Sequence, residues 1–221
     1  MSSQTPVTIA IAGITGRLAS LITNALLVKP NVTIHGLART PSKVPKSISS
    51  NPRVKLFGAS STNEAAINEA LVGVDTLICC YLGDHTLMTQ GQYTLIDACI
   101  ANTVPRYIAS DYSVDFRGLK YGQHPQKDPM KHVTQYLADR KDKISGVHIM
   151  TGAFFEVVWG FLGLYDADEK TFQYWGTGDE KWELTTYADS ANFVAEVAID
   201  PKINGFVGSR FQQKETSFIH Y

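Results

Sequence analysis

The stretch Gly13-Ile14-Thr15-Gly16-Arg17-Leu18-Ala19 constrains this chain more than any other, because of what stands on either side of it. Ahead of it, residues 7–12 form a continuous apolar run that reads as a buried strand. Behind it, residues 17–28 place Leu18, Leu21, Ile22, Ala25 and Leu26 on one helical stripe, ended by Lys29-Pro30. Gly13 suits the tight strand-to-helix turn, Gly16 lets a pyrophosphate approach the backbone, and Ala19 lets the helix pack close to the strand. The N–H groups of the first turn, around Thr15, Gly16, Arg17 and Leu18, then face the phosphates, with Arg17 as their charged partner. Glycine-rich turns follow many strands that bind nothing; the position between a buried strand and an amphipathic helix is what predicts dinucleotide binding here.

The rest of the chain repeats the alternation. Strands are predicted over residues 32–38, 54–57, 75–81, 106–109 and 146–150. Between them, Ser61-Thr62-Asn63-Glu64 reads as a capping box opening a helix that stops at Gly73, and a further helix covers residues 86–101. After a loop rich in Gly, Pro and charge (residues 115–127), Asp128 reads as an N-cap with Pro129 at N1, and Val133, Tyr136 and Leu137 form the packing face. The expected fold is α/β, a doubly wound parallel sheet of Rossmann type. Residues 1–150 form the dinucleotide-binding domain, and residues 151–221 a small, shortened C-terminal cap over the sheet edge.

Composition narrows the function. Hydrophobic residues make up 44% and charged residues 19%, an ordered globular balance. A net charge of −1 with scattered Lys and Arg offers no footprint for nucleic acid and no basic patch for a membrane surface. No apolar run reaches the roughly 20 residues of a membrane span, and the polar residues 1–6 do not read as a signal peptide. The three cysteines, Cys79, Cys80 and Cys99, make neither a disulfide framework nor a zinc pattern, which suits reduced core thiols and a cytosolic setting.

The second strand selects the nicotinamide. A carboxylate at its end would bond the ribose hydroxyls of NAD; here it ends Gly36-Leu37-Ala38-Arg39, with Lys43 close behind. Arg39 can pair bidentately with a 2′-phosphate and Lys43 adds a second cation, so the expected cofactor is NADP(H). A solvated loop arginine is the plainer reading of Arg39.

With these motifs in place, the chain resembles the NmrA-like and isoflavone reductase-like branch of the atypical short-chain dehydrogenases. The matching segments are IAGITGRLAS, HGLARTPSK, LVGVDTLICC, IASDY, DPMKHVTQYL, TGAFFE and YADSANFVAEVAID. The resemblance implies an extended Rossmann fold, NADPH and a small aromatic or polyketide-like substrate. The family's reductases are longer than this chain, so part of their pocket is absent here, rebuilt, or supplied by a second subunit in a homodimer. The family also holds members that bind NADP without turnover and act as regulators on a protein partner. A redox-neutral isomerase, cyclase or epimerase on the same fold is a further alternative.

Ordinary short-chain dehydrogenases pair a Tyr with a Lys four residues later, and none of the ten tyrosines here has that partner; Tyr136, followed by Arg140, comes nearest. In the resembling reductases a lone lysine does this work, and the matching position is Lys131. It falls in the first turn of its helix, where the dipole disfavours a cation, a placement suited to acid–base work; the plainer reading is a solvated lysine. Strand ends supply the other candidates. Tyr81, Leu82 and Gly83 line the ribose and nicotinamide path, Ser110 the nicotinamide ribose, and Phe154 and Phe155 an aromatic wall over the nicotinamide. His85, Tyr112 and Trp159 face the substrate. Tyr165, Tyr174, Trp175 and Trp182 make the cap aromatic, which suits a flat apolar substrate and equally an ordinary core.

Overall fold

The structure is a computed structural model that describes residues 5–160, 164–174, 176–177, 179 and 182–208. Seven strands form one parallel sheet: β1 (Val7–Ala12), β2 (Val32–Ala38), β3 (Val54–Gly58), β4 (Thr76–Cys79), β5 (Arg106–Ile108), β6 (Ser145–Met150) and β11 (Gly205–Gly208). Their order, β11-β6-β5-β4-β1-β2-β3, reverses direction at β1, as in a doubly wound fold. The register places Ile9 opposite Ile34 on one side and Thr76 on the other, so β1 is central and its apolar run is buried on both faces.

Alternation along the strands sorts their side chains into two cores. Ile9, Ile11, Ile34, Ile78, Ile108 and Ile149 meet helix α1 (Arg17–Leu27) and the late helix α7 (Tyr187–Ile199). Ala10, Ala12, Leu77, Cys79, Tyr107 and Ala109 meet α3 (Glu64–Leu71), α4 (Gln92–Ala101) and α5 (Asp128–Ala138) on the other face. A short α2 (Lys46–Ser49) tucks Ile48 under the first layer. The region after β6 adds β7 (Ala153–Phe154), α6 (Phe155–Gly160), β8 (Tyr165–Asp166), β9 (Thr171–Phe172) and β10 (Leu184–Thr185).

Several local expectations are corrected. The capping box does not form: Asn63 caps α3, its side chain accepting from the Ala66 N–H at 3.2 Å. Asp128 does not cap α5 either, since Lys127 holds that position and Asp128 is the first helical residue, its carboxylate accepting from the Gly122 N–H at 2.9 Å. The helix expected over residues 86–101 opens as a π-helical turn (Leu87–Gly91) before becoming α4. Two elements that follow residue 150 also take part in the packing of the main sheet. β11 extends the main sheet beside β6, and α7 packs Ala191, Val194 and Ala198 into the core that α1 shares. Arg106 fastens that helix, its buried guanidinium donating to the carbonyls of Val197, Ala198 and Ile203 at 2.8–3.0 Å. Among the described residues no helix is long and apolar enough to cross a membrane.

Candidate functional site

The carboxyl end of β1 turns into α1 through Gly13, which adopts φ +80°. A Cβ there would lie 2.9 Å from the Cys80 carbonyl oxygen, so the loop can lie this close to the end of β4 only with glycine. Gly36 performs a related service on β2: a Cβ would stand 2.5 Å from Cδ1 of Ile14, which fills that space behind the loop. Gly16 then occupies the N-cap of α1 with no side-chain cap, and no acidic residue stands in the first turn. An uncapped helix start with exposed Thr15 and Arg17 and half-buried Leu18 presents N–H groups and positive charge to one spot, a cradle that fits a pyrophosphate.

Arg17 is a cation at the positive end of a helix, where it needs compensation. Among the described residues it meets a ring instead of a carboxylate: its guanidinium carbon lies 4.5 Å from the centroid of Tyr187. Tyr187 in turn stacks on Phe154, with centroids 4.1 Å apart and an interplanar angle of 14°. The first residue of α7 is fixed there because both Glu156 carboxylate oxygens accept from its backbone N–H, at 3.0 and 3.1 Å. The segment after β6, the start of α7 and the start of α1 thus converge beside the glycine loop.

Past β2, Arg39 and Lys43 are exposed, Lys43 in a 3-10 turn begun by Pro41. Arg39 lies within electrostatic reach of Tyr81: burial pushes that phenol well above its usual range, and the Arg39 charge pulls it back. Arg39, expected to read a 2′-phosphate, thus acts electrostatically on the residue expected on the ribose path.

The ends of β4 and β5 are locked by a buried glutamine. Gln92 Oε1 accepts from the Tyr107 hydroxyl at 3.0 Å and from the Ser110 N–H at 3.1 Å, and Ser110 Oγ donates to the Tyr81 carbonyl at 2.7 Å. Ser110 and Tyr81 share one corner, while Leu82 and Gly83 project into solvent beside it, Leu82 being 92% exposed. Tyr112 does not open toward a substrate space. It is buried among core residues with its hydroxyl 4.0 Å from Cys80 Sγ, a wall and not a free donor.

The two phenylalanines expected to form one wall part company, because β7 ends at Phe154 and Phe155 opens α6. Phe154 goes to Tyr187, while Phe155 meets Trp159 edge-on at 5.3 Å, and Trp159 continues to Phe172 at 5.8 Å. Tyr165 joins Phe172 at 4.8 Å. Trp175 lies outside the described residues.

At α5, Lys131 is nearly covered, its side chain 11% exposed. Its ammonium lies 3.3 Å from the Asp128 carboxylate and 4.8 Å from the Tyr121 ring centroid, so the first-turn position carries its own counter-charge. His85 is not with Tyr112 and Trp159; it meets His132 edge-on at 5.9 Å, and His132 meets Tyr121 at 5.1 Å, close to Lys131. Tyr136 lies away from the strand ends, donating to Asp97 at 2.7 Å and stacked on Tyr93 under Arg140. Among the described residues no three His, Cys, Asp or Glu side chains are grouped to hold a metal.

A family model described as NAD(P)H-binding matches residues 13–154, the glycine loop through Phe154. The chain belongs to the NAD(P)H-binding family. Among curated relatives, this family member is 31% identical over 189 residues to the oxidoreductase aprR of Aspergillus flavus, covering 81% of its own length and 60% of the relative's. Its fold is similar to that of AtPrR2 solved with NADP+ and (+)pinoresinol (TM-score 0.74, 19% identity, 93% of this chain and 70% of that one). It is also similar to isoflavone reductase (TM-score 0.72, 20% identity, 92% and 69%). The family member therefore spans about 60% of the length of the curated relative it matches.

Sequence reasoning missed Tyr187, Glu156 and Gln92. The first two lie in the segments YADSANFVAEVAID and TGAFFE, whose resemblance to the family was legible although their mutual contact was not.

Proposed function

We propose that this family member is an NADPH-dependent reductase acting on a carbonyl or activated double bond of a small aromatic or polyketide-like molecule. The observation that carries the reading is the placement of cations at the carboxyl edge of the sheet. Arg17 stands at an uncapped helix start and Arg39 and Lys43 past β2, and among the described residues none of the three has a carboxylate partner within salt-bridge distance. One set suits a pyrophosphate and the other a 2′-phosphate.

In this reading Gly13, Thr15, Gly16, Arg17 and Leu18 hold the pyrophosphate and Arg39 and Lys43 the 2′-phosphate. Tyr81, Leu82, Gly83 and Ser110 line the path to the nicotinamide, and Phe154, braced by Tyr187, covers it. The bound cofactor supplies a hydride to the substrate. Lys131 orients the ribose and assists proton delivery, held in place by Asp128. Phe155 and Trp159 offer the substrate an aromatic face, His85 flanks the opposite side beside His132, and Tyr112 closes the floor. Residues 151–221 then act as the substrate cap, and the three free thiols suit a cytosolic protein.

The reading is supported by the 31% identity to an oxidoreductase and by the NADP+ and (+)pinoresinol held by a protein of similar fold. Incubation with NADPH and a panel of aromatic ketones and quinones, followed by nicotinamide absorbance, tests it. Oxidation of NADPH dependent on one class of substrate is expected. Tight NADPH binding with no oxidation across the panel, or product formed without NADPH consumption, would replace the reductase by a sensor or a redox-neutral enzyme.

A further inference from the structure

Three exposed rings from separate segments meet beside the ammonium of Lys131. His85 stands in the loop after β4, Tyr121 in the loop before α5, and His132 on α5 itself, next to Lys131. His132 meets His85 edge-on at 5.9 Å and lies 5.1 Å from the Tyr121 ring. Tyr121 is 60% exposed and also covers Lys131, whose Nζ lies 4.8 Å from its ring centroid. Exposed aromatic side chains that stand singly on a surface need no explanation. A row of three, one end of it resting on a nearly buried lysine, does.

The row is fixed from beneath. One Asp128 oxygen accepts from the Gly122 N–H at 2.9 Å, which anchors the residue after Tyr121, and the other pairs with Lys131 at 3.3 Å. At the far end, Asp84 accepts from the Leu87 N–H at 2.8 Å and Thr89 Oγ1 donates to the His85 carbonyl at 2.7 Å, so the backbone on both sides of His85 is tied. The polar tips are left open. Among the described residues, neither imidazole nor the Tyr121 hydroxyl makes a hydrogen bond to a protein group. Asp128 already balances the Lys131 charge, so the row offers ring surface with donors and acceptors instead of a further cation. A neutral imidazole carries one donor and one acceptor, and a phenolic hydroxyl can serve either.

We propose that His85, His132 and Tyr121 form the specificity edge of the substrate site, and that they select an aromatic substrate bearing a ring hydroxyl. The inference rests on the reductase reading, with the reacting carbonyl at Lys131. From there the substrate ring lies against the Tyr121–His132–His85 row, where rings pack edge-on or offset. A hydroxyl on that ring reaches an imidazole nitrogen, whereas a methyl ether has no proton to give and adds bulk. The row is exposed, so this hydrogen bond competes with water and the selection is modest, about five- to tenfold. Tyr121 has a second task, shielding the Lys131 ammonium from solvent.

Hydroxylated tetralones, their methyl ethers and the parent tetralone, all aromatic ketones, make the comparison. In the unmodified protein, kcat/KM for at least one hydroxytetralone should exceed that for its methyl ether about five- to tenfold, the difference lying in KM. His85→Phe and His132→Phe keep a ring and lose the nitrogens; combined, they should bring the two substrates within about twofold of each other. His132→Gln, which restores a donor and an acceptor, should recover part of the preference. Both positions are exposed, so the variants should share the urea midpoint of the unmodified protein. In the complex with NADP+, the hydroxytetralone should shift the imidazole Cε1–H resonances of His85 or His132, assigned by their loss in the Phe variants, and its methyl ether should not. Turnover without preference, a preference that survives the double variant, or imidazole resonances unmoved by every hydroxytetralone overturns this assignment and leaves the reductase reading standing. Absence of turnover in the unmodified protein with every substrate overturns the reductase reading and the assignment together.

Discussion

Arg17 and Tyr187 meet where α1 and α7 begin, the first and last helices among the described residues, the guanidinium carbon 4.5 Å from the ring centroid. The contact desolvates little and orients much, holding a flexible cation where an anion would arrive. Tyr187→Ala should therefore weaken NADPH binding about three- to tenfold, while Tyr187→Phe, which keeps the ring, should leave it nearly unchanged. Fluorescence titration of NADPH distinguishes the two, and equal affinities in both variants would refute the role of the ring.

The cations past β2 make a separate prediction. NADPH should bind at least about tenfold more tightly than NADH, a difference of about 1.4 kcal/mol. Arg39→Asp should erase or invert that preference, because a carboxylate repels a 2′-phosphate and accepts from ribose hydroxyls. Equal affinity of the unmodified protein for both cofactors would sink the assignment.

Gly13 is constrained twice, by φ +80° and by the Cys80 carbonyl 2.9 Å from any added Cβ. Gly13→Ala should cost about 1–3 kcal/mol of stability, read from urea unfolding. Gly13→Val should in addition abolish cofactor binding while some folded protein persists. A valine variant with normal NADPH affinity would show that the loop does not approach the pyrophosphate.

Lys131→Ala removes an ammonium held by Asp128, whereas the phosphates are assigned to other residues. NADPH affinity should stay within a few-fold and kcat should fall by about two orders of magnitude. Full activity without Lys131 would leave it a structural partner of Asp128.

The buried thiols set an alkaline limit. Burial pushes Cys79 up to about 12, and Cys80 and Cys99 further. A thiol whose folded value is raised contributes stability that is whole below the unfolded value of about 8.5 and is lost as pH rises toward the folded one. Cys79 alone should therefore cost about 2 kcal/mol of stability between about pH 8 and about pH 10. The stability gap between Cys79→Ala and the unmodified protein should narrow over that interval in urea unfolding; a gap independent of pH would contradict the burial argument.

The parts of this molecule that were legible in its sequence are those set by local periodicity. Apolar runs between helical stripes gave strands whose sheet order the connections then dictated, and the glycine loop lay where its neighbours required. Helix starts were read less well, because Asn63 and Asp128 stand among several polar residues that could each cap, and only the folded backbone chooses. Contacts between distant segments left no local trace: Arg17 with Tyr187, Asp111 with His148, and the division of Phe154 from Phe155. The packing of α7 on the sheet left no separate trace either, since a helix that covers a sheet face and one that covers a ligand share the same apolar stripe.

The packing of α7 against α1 also fixes an order of events during synthesis. The glycine loop and its helix are made well before α7, yet the face of α1 that packs on α7 has that neighbour only when residues 187–199 have left the ribosome. Until then α1 lacks one of its packing partners, and Arg17 has no ring to rest on. Long-range closure of this kind slows folding and lengthens the interval in which apolar surface is open to aggregation or to a chaperone. Part of the cofactor cradle thus matures only after the much later α7 has been made.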